Sequence, residues 1–158
     1  MAGRKFPYTA AYVACRGDGS GRCAYGCIGC GACLTACKCG AVKIENGRAA
    51  VIDREKCRSC GLCVKACPQG IIHINETASP IAVLCSNRAA GREAAGVCPT
   101  ACIGCGSCER SCSAEAVTVK DFLAVIREDL CLSCGLCLTR CPRHAIGDLR
   151  GLLKSALP

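Results

Sequence analysis

The stretch "CIGCGACLTAC", residues 27–37, spaces four cysteines as C-x2-C-x2-C-x3-C. The same spacing returns in "CRSCGLCVKAC" (57–67), "CIGCGSCERSC" (102–112) and "CLSCGLCLTRC" (131–141). One chemical device is written four times in a chain of 158 residues that has 21 cysteines, no Trp and only three Tyr and two Phe. With the cysteines set aside, the apolar share falls to roughly 38%, low for a globular protein. Hydrophobic burial by so few large side chains would not offset the conformational entropy of folding. The cysteines must supply what is missing.

Thiols at this density serve a disulfide framework, zinc or iron–sulfur clusters. A disulfide scaffold belongs to secreted chains, and the opening "MAGRKFPYTAAYVACRG" carries Arg4 and Lys5 without an apolar core long enough for a signal peptide. No run reaches the 18 or so apolar residues of a membrane span. The expectation is a soluble chain in a reducing compartment. Zinc takes two ligands from each of two distant C-x2-C knuckles, whereas here three cysteines recur at x2, x2 spacing and a fourth follows at x3. Three thiolates on one glycine-bearing loop suit three corners of a [4Fe-4S] cube, with backbone N–H groups free to face the sulfurs. The fourth then lies on the following turn and points toward a different cube. The ligand pattern favours clusters, with zinc or a mixed metal site as the alternative.

The chain is also an internal repeat. Cys23, Cys27, Cys30, Cys33 and Cys37 recur 75 positions on as Cys98, Cys102, Cys105, Cys108 and Cys112. Cys57, Cys60, Cys63 and Cys67 recur 74 positions on as Cys131, Cys134, Cys137 and Cys141. "YVAC" ending at Cys15 has its counterpart in "AVLC" ending at Cys85. The polar stretch "NETASP" (75–80) reads as a short linker, which sets two modules at 11–76 and 81–147. Within each, "AVKIENGRAAVID" and "AVTVKDFLAVIRED" read as hairpins, turning at Asn46-Gly47 and near Lys120-Asp121. "GLCVKAC" and "GLCLTRC" read as helices of about two turns, and "GIIHI" starts a further strand. The fold class predicted is α+β, with short helices and short antiparallel hairpins around two cubes per module.

Each half resembles the bacterial two-cluster ferredoxin. The whole chain is similar to the C-terminal part of the B subunit of the Rnf complex, the membrane-bound ferredoxin:NAD oxidoreductase. The second likeness is carried by "AYVACRG", by "CAYGCIGCGAC" and by the joining segment "AVLCSNRAAGREAAGVCPTACIGCGSC", and it extends over residues 11–147. That subunit normally begins with a membrane-anchoring helix and a further cluster-binding domain, neither of which is in this sequence. The chain reads either as a truncated form or as a free-standing relative. The resemblance implies four [4Fe-4S] clusters whose ligands cross within each half. Cys27, Cys30, Cys33 and Cys67 would hold the first, and Cys57, Cys60, Cys63 and Cys37 the second. Cys102, Cys105, Cys108 and Cys141 would hold the third, and Cys131, Cys134, Cys137 and Cys112 the fourth. It further implies an electron-carrying subunit, cytoplasmic or peripheral on the cytoplasmic membrane face. An acidic ferredoxin or flavodoxin would be its donor and other oxidoreductase subunits its neighbours. A soluble polyferredoxin of a hydrogenase or formate dehydrogenase is the alternative within the class, and a structural zinc or redox-sensing protein outside it.

Five cysteines remain. Cys15 with Cys23, and Cys85 with Cys98, repeat between the halves and read as a redox-active disulfide, as ligands for something additional, or as small buried apolar groups. Cys39 faces Ala114 in the repeat and reads as incidental. His73, in a strand pattern, and His144, after the last run, read as ordinary structural residues. Lys38 and Ser113 stand where Pro68 and Pro142 follow the other runs. The formal charge of +8 counts thiols as neutral. Each oxidised cube with four thiolates carries about −2, so four of them bring the chain to about zero. Nucleic-acid binding is disfavoured, because the basic residues are scattered and stacking aromatics are nearly absent. Arg54, Lys56, Arg58 and Lys65 gather around the second run, a distribution suited to an acidic donor.

Overall fold

The computed structural model describes residues 9–19, 21–45, 48–75, 79–151 and 153. The first half opens with strand β1 (Ala10–Val13), passes through the first cysteine run into helix α1 (Ala32–Ala36), and forms strands β2 (Val42–Lys43) and β3 (Val51–Ile52). The second run leads into helix α2 (Leu62–Ala66), and strand β4 (Ile72–Asn75) closes the half. The second half follows with strand β5 (Ile81–Val83), helix α3 (Gly91–Val97), helix α4 (Ser107–Arg110) and strands β6 (Val117–Lys120) and β7 (Leu123–Ile126). Helix α5 (Leu136–Arg140) and strand β8 (Ile146–Asp148) complete it. This is the α+β class expected from the cysteine and hairpin pattern.

Both hairpins form: β2 pairs antiparallel with β3, and β6 with β7. The turn read at Asn46-Gly47 lies outside the described residues. In the second hairpin the two turn residues are Asp121 and Phe122, at φ 48° and 59°. Two successive left-handed residues are what a two-residue turn needs to follow the twist of the strands it joins. Each half is then closed by a ladder between its ends that the sequence pattern did not announce. β1 pairs antiparallel with β4, setting Tyr12 opposite His73, and β5 pairs antiparallel with β8. The Tyr12 and His73 rings are 5.7 Å apart, and burial holds the His73 pKa below its ordinary value. His73 is therefore a cross-strand packing residue.

The helices are shorter than the expected two turns. α2 and α5 end after five residues because the fourth cysteine of each run, Cys67 or Cys141, leaves the helix in an extended conformation at ψ 114° and 112°. Pro68 and Pro142 follow and cannot continue a helix. At the other end Gly61 and Gly135 cap α2 and α5 at φ 74° and 75°, a left-handed geometry that a Cβ would strain. Two cores result, one per half, and cysteine is part of both. Cys33, Cys57 and Cys63 are buried with Ala10, Ala11, Val42, Ile71 and Ile72. Cys102, Cys108 and Cys137 are buried with Ile81, Val117, Leu138 and Ile146. Among the described residues no helix is long and apolar enough to cross a membrane.

Candidate iron–sulfur sites

Each run wraps as a loop with two left-handed residues. Gly29, Ser59, Gly104 and Ser133 precede the second cysteine at φ 54° to 65°, and a glycine follows it in every run. The coil gives the second, third and fourth thiols of a run different fates, and it repeats them in all four runs, while the first cysteine is buried at Cys57 and Cys102 and half-buried at Cys27 and Cys131. The second cysteines, Cys30, Cys60, Cys105 and Cys134, are exposed, and the third cysteines, Cys33, Cys63, Cys108 and Cys137, are buried. The fourth, Cys37, Cys67, Cys112 and Cys141, are half-buried beyond the helix. A group bound here has a buried side and an edge open to a partner.

The thiols gather across runs. Cys27, Cys30 and Cys33 share a hollow with Cys67 of the second run, walled by Val13, Ile28, Ile44 and Ile72. Cys102, Cys105 and Cys108 share the matching hollow with Cys141, walled by Ile103, Val119 and Ile146. In the complementary sets, Cys63 lies within electrostatic reach of Cys57 and Cys37, and Cys137 within reach of Cys131, Cys134 and Cys112. Cys137 also feels Cys108, so the two sites of the second half adjoin.

Backbone donors converge on the sulfurs. The Ala11 N–H lies 3.3 Å from Cys57 Sγ and the Ser59 N–H 3.5 Å from it. The N–H of Ala41 donates to Cys37 Sγ at 3.3 Å, and that of Ala145 to Cys141 Sγ at 3.3 Å. Such donors favour the thiolate over the thiol. Burial acts the other way in the metal-free chain. It pushes Cys108 up to about 11 and Cys137 up to about 12, and neighbouring thiolates add to the rise. Four adjacent thiolates therefore need a cationic core between them, and its insertion releases protons. The donor set, all sulfur and partly apolar-walled with N–H groups aimed at it, fits a cluster with four thiolate ligands. No three His, Cys, Asp or Glu among the described residues are gathered as a single metal ion requires.

Outside these sets, Cys39 Sγ lies 3.6 Å from Cys37 Sγ. The residue three positions after each fourth cysteine is left-handed: Gly40 and Gly70 in the first half, Glu115 and His144 in the second. His144 thus occupies a turn, and its carbonyl accepts a hydrogen bond from Arg16 Nη1 at 3.1 Å.

Comparison with known proteins agrees with this geometry. Three models of the 4Fe-4S dicluster domain match residues 26–71, 56–116 and 101–146. The B subunit of the ion-translocating oxidoreductase complex of Methanosarcina acetivorans is 42% identical over 124 residues, covering 78% of this chain and 47% of that protein. The B subunit of the Na(+)-translocating ferredoxin:NAD(+) oxidoreductase complex of Acetobacterium woodii is 41% identical over 132 residues, covering 83% of this chain and 40% of that protein. Its counterpart in the proton-translocating ferredoxin:NAD(+) oxidoreductase complex of Clostridium ljungdahlii is 35% identical, covering 78% and 44%. The chain thus spans less than half the length of these curated relatives. Two tandem dicluster domains imply four [4Fe-4S] clusters and an electron-transfer role. The chain belongs to the 4Fe-4S dicluster ferredoxins and is similar, over most of its length, to the ferredoxin part of these B subunits.

Proposed function

We propose that this chain relays electrons, one at a time, from an acidic ferredoxin or flavodoxin to other subunits of an ion-translocating oxidoreductase of the Rnf type, held at the cytoplasmic membrane face by those partners. Two modules, 11–76 and 81–147, each hold two clusters through the crossed cysteine sets expected above. What supports this reading most is the pair of hollows in which three cysteines of one run meet the fourth of the next. Bound clusters supply one-electron chemistry at low potential. The chain's own part is to bury the third cysteine of each run, expose the second toward a partner, and set N–H donors on the sulfurs. Lys38, Lys56, Arg58 and Lys65 are all exposed around the second set and give an acidic donor a place to approach.

The crossing has a direct test. Cys37→Ser should remove the cluster held by Cys57, Cys60 and Cys63, lowering the iron of the ferredoxin-type sites from about 16 to about 12 per chain, and spare the one on Cys27, Cys30 and Cys33. Mössbauer and EPR spectra of the variant that lack the first run's own cluster instead would show that the ligands stay within their runs.

A further inference from the structure

Four of the five cysteines left over by the ferredoxin pattern come together. Cys15 and Cys23 of the first half and Cys85 and Cys98 of the second line one cavity of about 390 Å³ between the halves. Its architecture repeats that of the cluster sites. Cys15 Sγ receives the N–H of Gly17 and of Cys27, each at 3.4 Å. Cys85 Sγ receives the N–H of Asn87 at 3.4 Å and of Cys102 at 3.3 Å. The equivalence is residue for residue: in each half the first cysteine of the ferredoxin run donates its peptide N–H to the extra cysteine.

The four thiols are tied across the halves. Asn87 is 2% exposed, and while its backbone bonds Cys85 its side-chain Nδ2 lies 3.4 Å from Cys23 Sγ. A Cβ placed on Gly17 would lie 3.4 Å from Cys15 Sγ and 3.9 Å from Cys98 Sγ, so these two sulfurs flank one glycine. Arg16, Arg22 and Arg48 line the same cavity with Asp18 as its one acid, a cationic surround for an anionic group. A zinc ion binds sulfur at about 2.3 Å and would draw four thiols onto a point. As at the ferredoxin-type sites, no three of the described ligand side chains are gathered that closely here. The four sulfurs stand around a space.

We infer that Cys15, Cys23, Cys85 and Cys98 hold a fifth [4Fe-4S] cluster, two ligands from each half, placed between the first and third clusters. The shared hydrogen bonds say what it is for. Cys27, of the first set, and Cys102, of the third, each bond directly to a sulfur of this site. Electrons entering either half then have a neighbouring one-electron site through which to reach the other, and the two modules form one continuous relay.

This proposal rests on the sixteen-ligand reading above, and the two fail differently. Anaerobic native mass spectrometry of the reconstituted chain, with iron, sulfide and zinc analysis, should give about 20 iron and 20 sulfide, four of each beyond the sixteen. Cys85→Ala and Cys98→Ala should each return the count to about 16, and Cys39→Ala should leave it at about 20. On native alkylation of the wild-type holoprotein only Cys39 should react, which locates the site even if a variant misfolds. A wild-type count of 16 overturns the fifth cluster and leaves the four. So do sixteen iron plus one zinc, a two-iron addition, a mass four hydrogens lighter from two disulfides, or alkylation at Cys15, Cys23, Cys85 or Cys98. A count below 16 overturns both readings.

Discussion

Apart from Cys39 the two halves keep the same cysteines, and they keep the same strand pairs, yet they present different surfaces around their second and fourth sites. In the first half the second set is rimmed by Lys38, Lys56, Arg58 and Lys65. Their counterparts in the second half are Ser113, Leu130, Leu132 and Thr139, and Leu132 is 74% exposed. What the cluster requires is fixed in both copies: ligand spacing, left-handed loop residues, and N–H groups on sulfur. What a partner would read has diverged, giving one rim of four cations and one uncharged rim of two leucines, a serine and a threonine. A repeat whose halves met the same partner would have no use for this difference.

The interiors differ as well, and iron removal should expose that most strongly. Among the described residues, three of the four largest fully buried side chains, Ile81, Leu138 and Ile146, belong to the second half. The first core is built more from alanine, with Ala10, Ala11, Ala41 and Ala50. Neither core has enough large apolar area to stand alone, so chelation of the iron should unfold the chain. Hydrogen exchange of the anaerobic apoprotein should find the amides of 10–75 unprotected, with some protection persisting over 81–148. Full protection in both halves would show that folding does not depend on clusters, and the reverse order would show that alanine packing is the better scaffold.

Charge reversal gives the next largest effect. Lys56→Glu with Arg58→Glu should slow reduction by an acidic ferredoxin by about tenfold at low salt and flatten the dependence of the rate on ionic strength. Lys120→Glu with Arg140→Glu, two exposed cations of the second half, is the matched control and should change little. Arg110 and Arg127 serve less well. Arg110 Nη1 donates to the Cys105 carbonyl at 3.1 Å, and Arg127 is paired with Asp129 at 2.9 Å. Stopped-flow traces that respond equally to both double reversals would remove the case for a donor dock on the first half. A redox titration sharpens the point further. The cationic rim should favour the more negative reduced state of the second cluster and place its potential above that of the fourth, where about 59 mV corresponds to a factor of ten.

The sequence made local features legible and left the long-range ones hidden, for a physical reason. Cysteine spacing, glycines and alternating apolar residues act over a few positions, so both hairpins and helices α2 and α5 could be read from them. β1 and β5 could not, because they exist by pairing with β4 and β8 at the far end of each half. α3, "GREAAGV", has glycine at its start and near its end and carries little helical signal. Phe122 in a left-handed turn is likewise unlike the Asn-Gly signature from which such a turn is recognised. Repetition singled out Cys15, Cys23, Cys85 and Cys98, but their meeting depends on how the halves pack. That packing rests on contacts such as Arg16 Nη1 to the His144 carbonyl and, at 2.9 Å, Ser86 Oγ to the Ala14 carbonyl.

The smallest expected effect concerns the turn after each fourth cysteine, where the halves differ in one residue type. Gly40 and Gly70 take φ 62° in the first half, and Glu115 and His144 take φ 51° in the second. The turn itself is kept in all four copies. The N–H of Gly70 reaches the Cys67 carbonyl at 3.1 Å, that of Glu115 the Cys112 carbonyl at 3.1 Å, and that of His144 the Cys141 carbonyl at 3.2 Å. A residue with a Cβ loses about 1–2 kcal/mol in this region, whereas glycine loses about 0.5–1 kcal/mol more chain entropy on folding. Glu115→Gly should therefore stabilise by a fraction of a kcal/mol, and Gly70→Ala should destabilise by about 1 kcal/mol. For a chain of this size that corresponds to a few degrees in the temperature at which cluster absorbance is lost at a fixed scan rate. His144→Gly is the more telling variant. Arg16 bonds the His144 backbone carbonyl, so the contact between the halves should survive removal of the imidazole and the shift should match that of Glu115→Gly. A loss of several degrees for His144→Gly alone would mean that the side chain, not the turn, holds that junction, and the second half's departure from glycine would then be a structural gain.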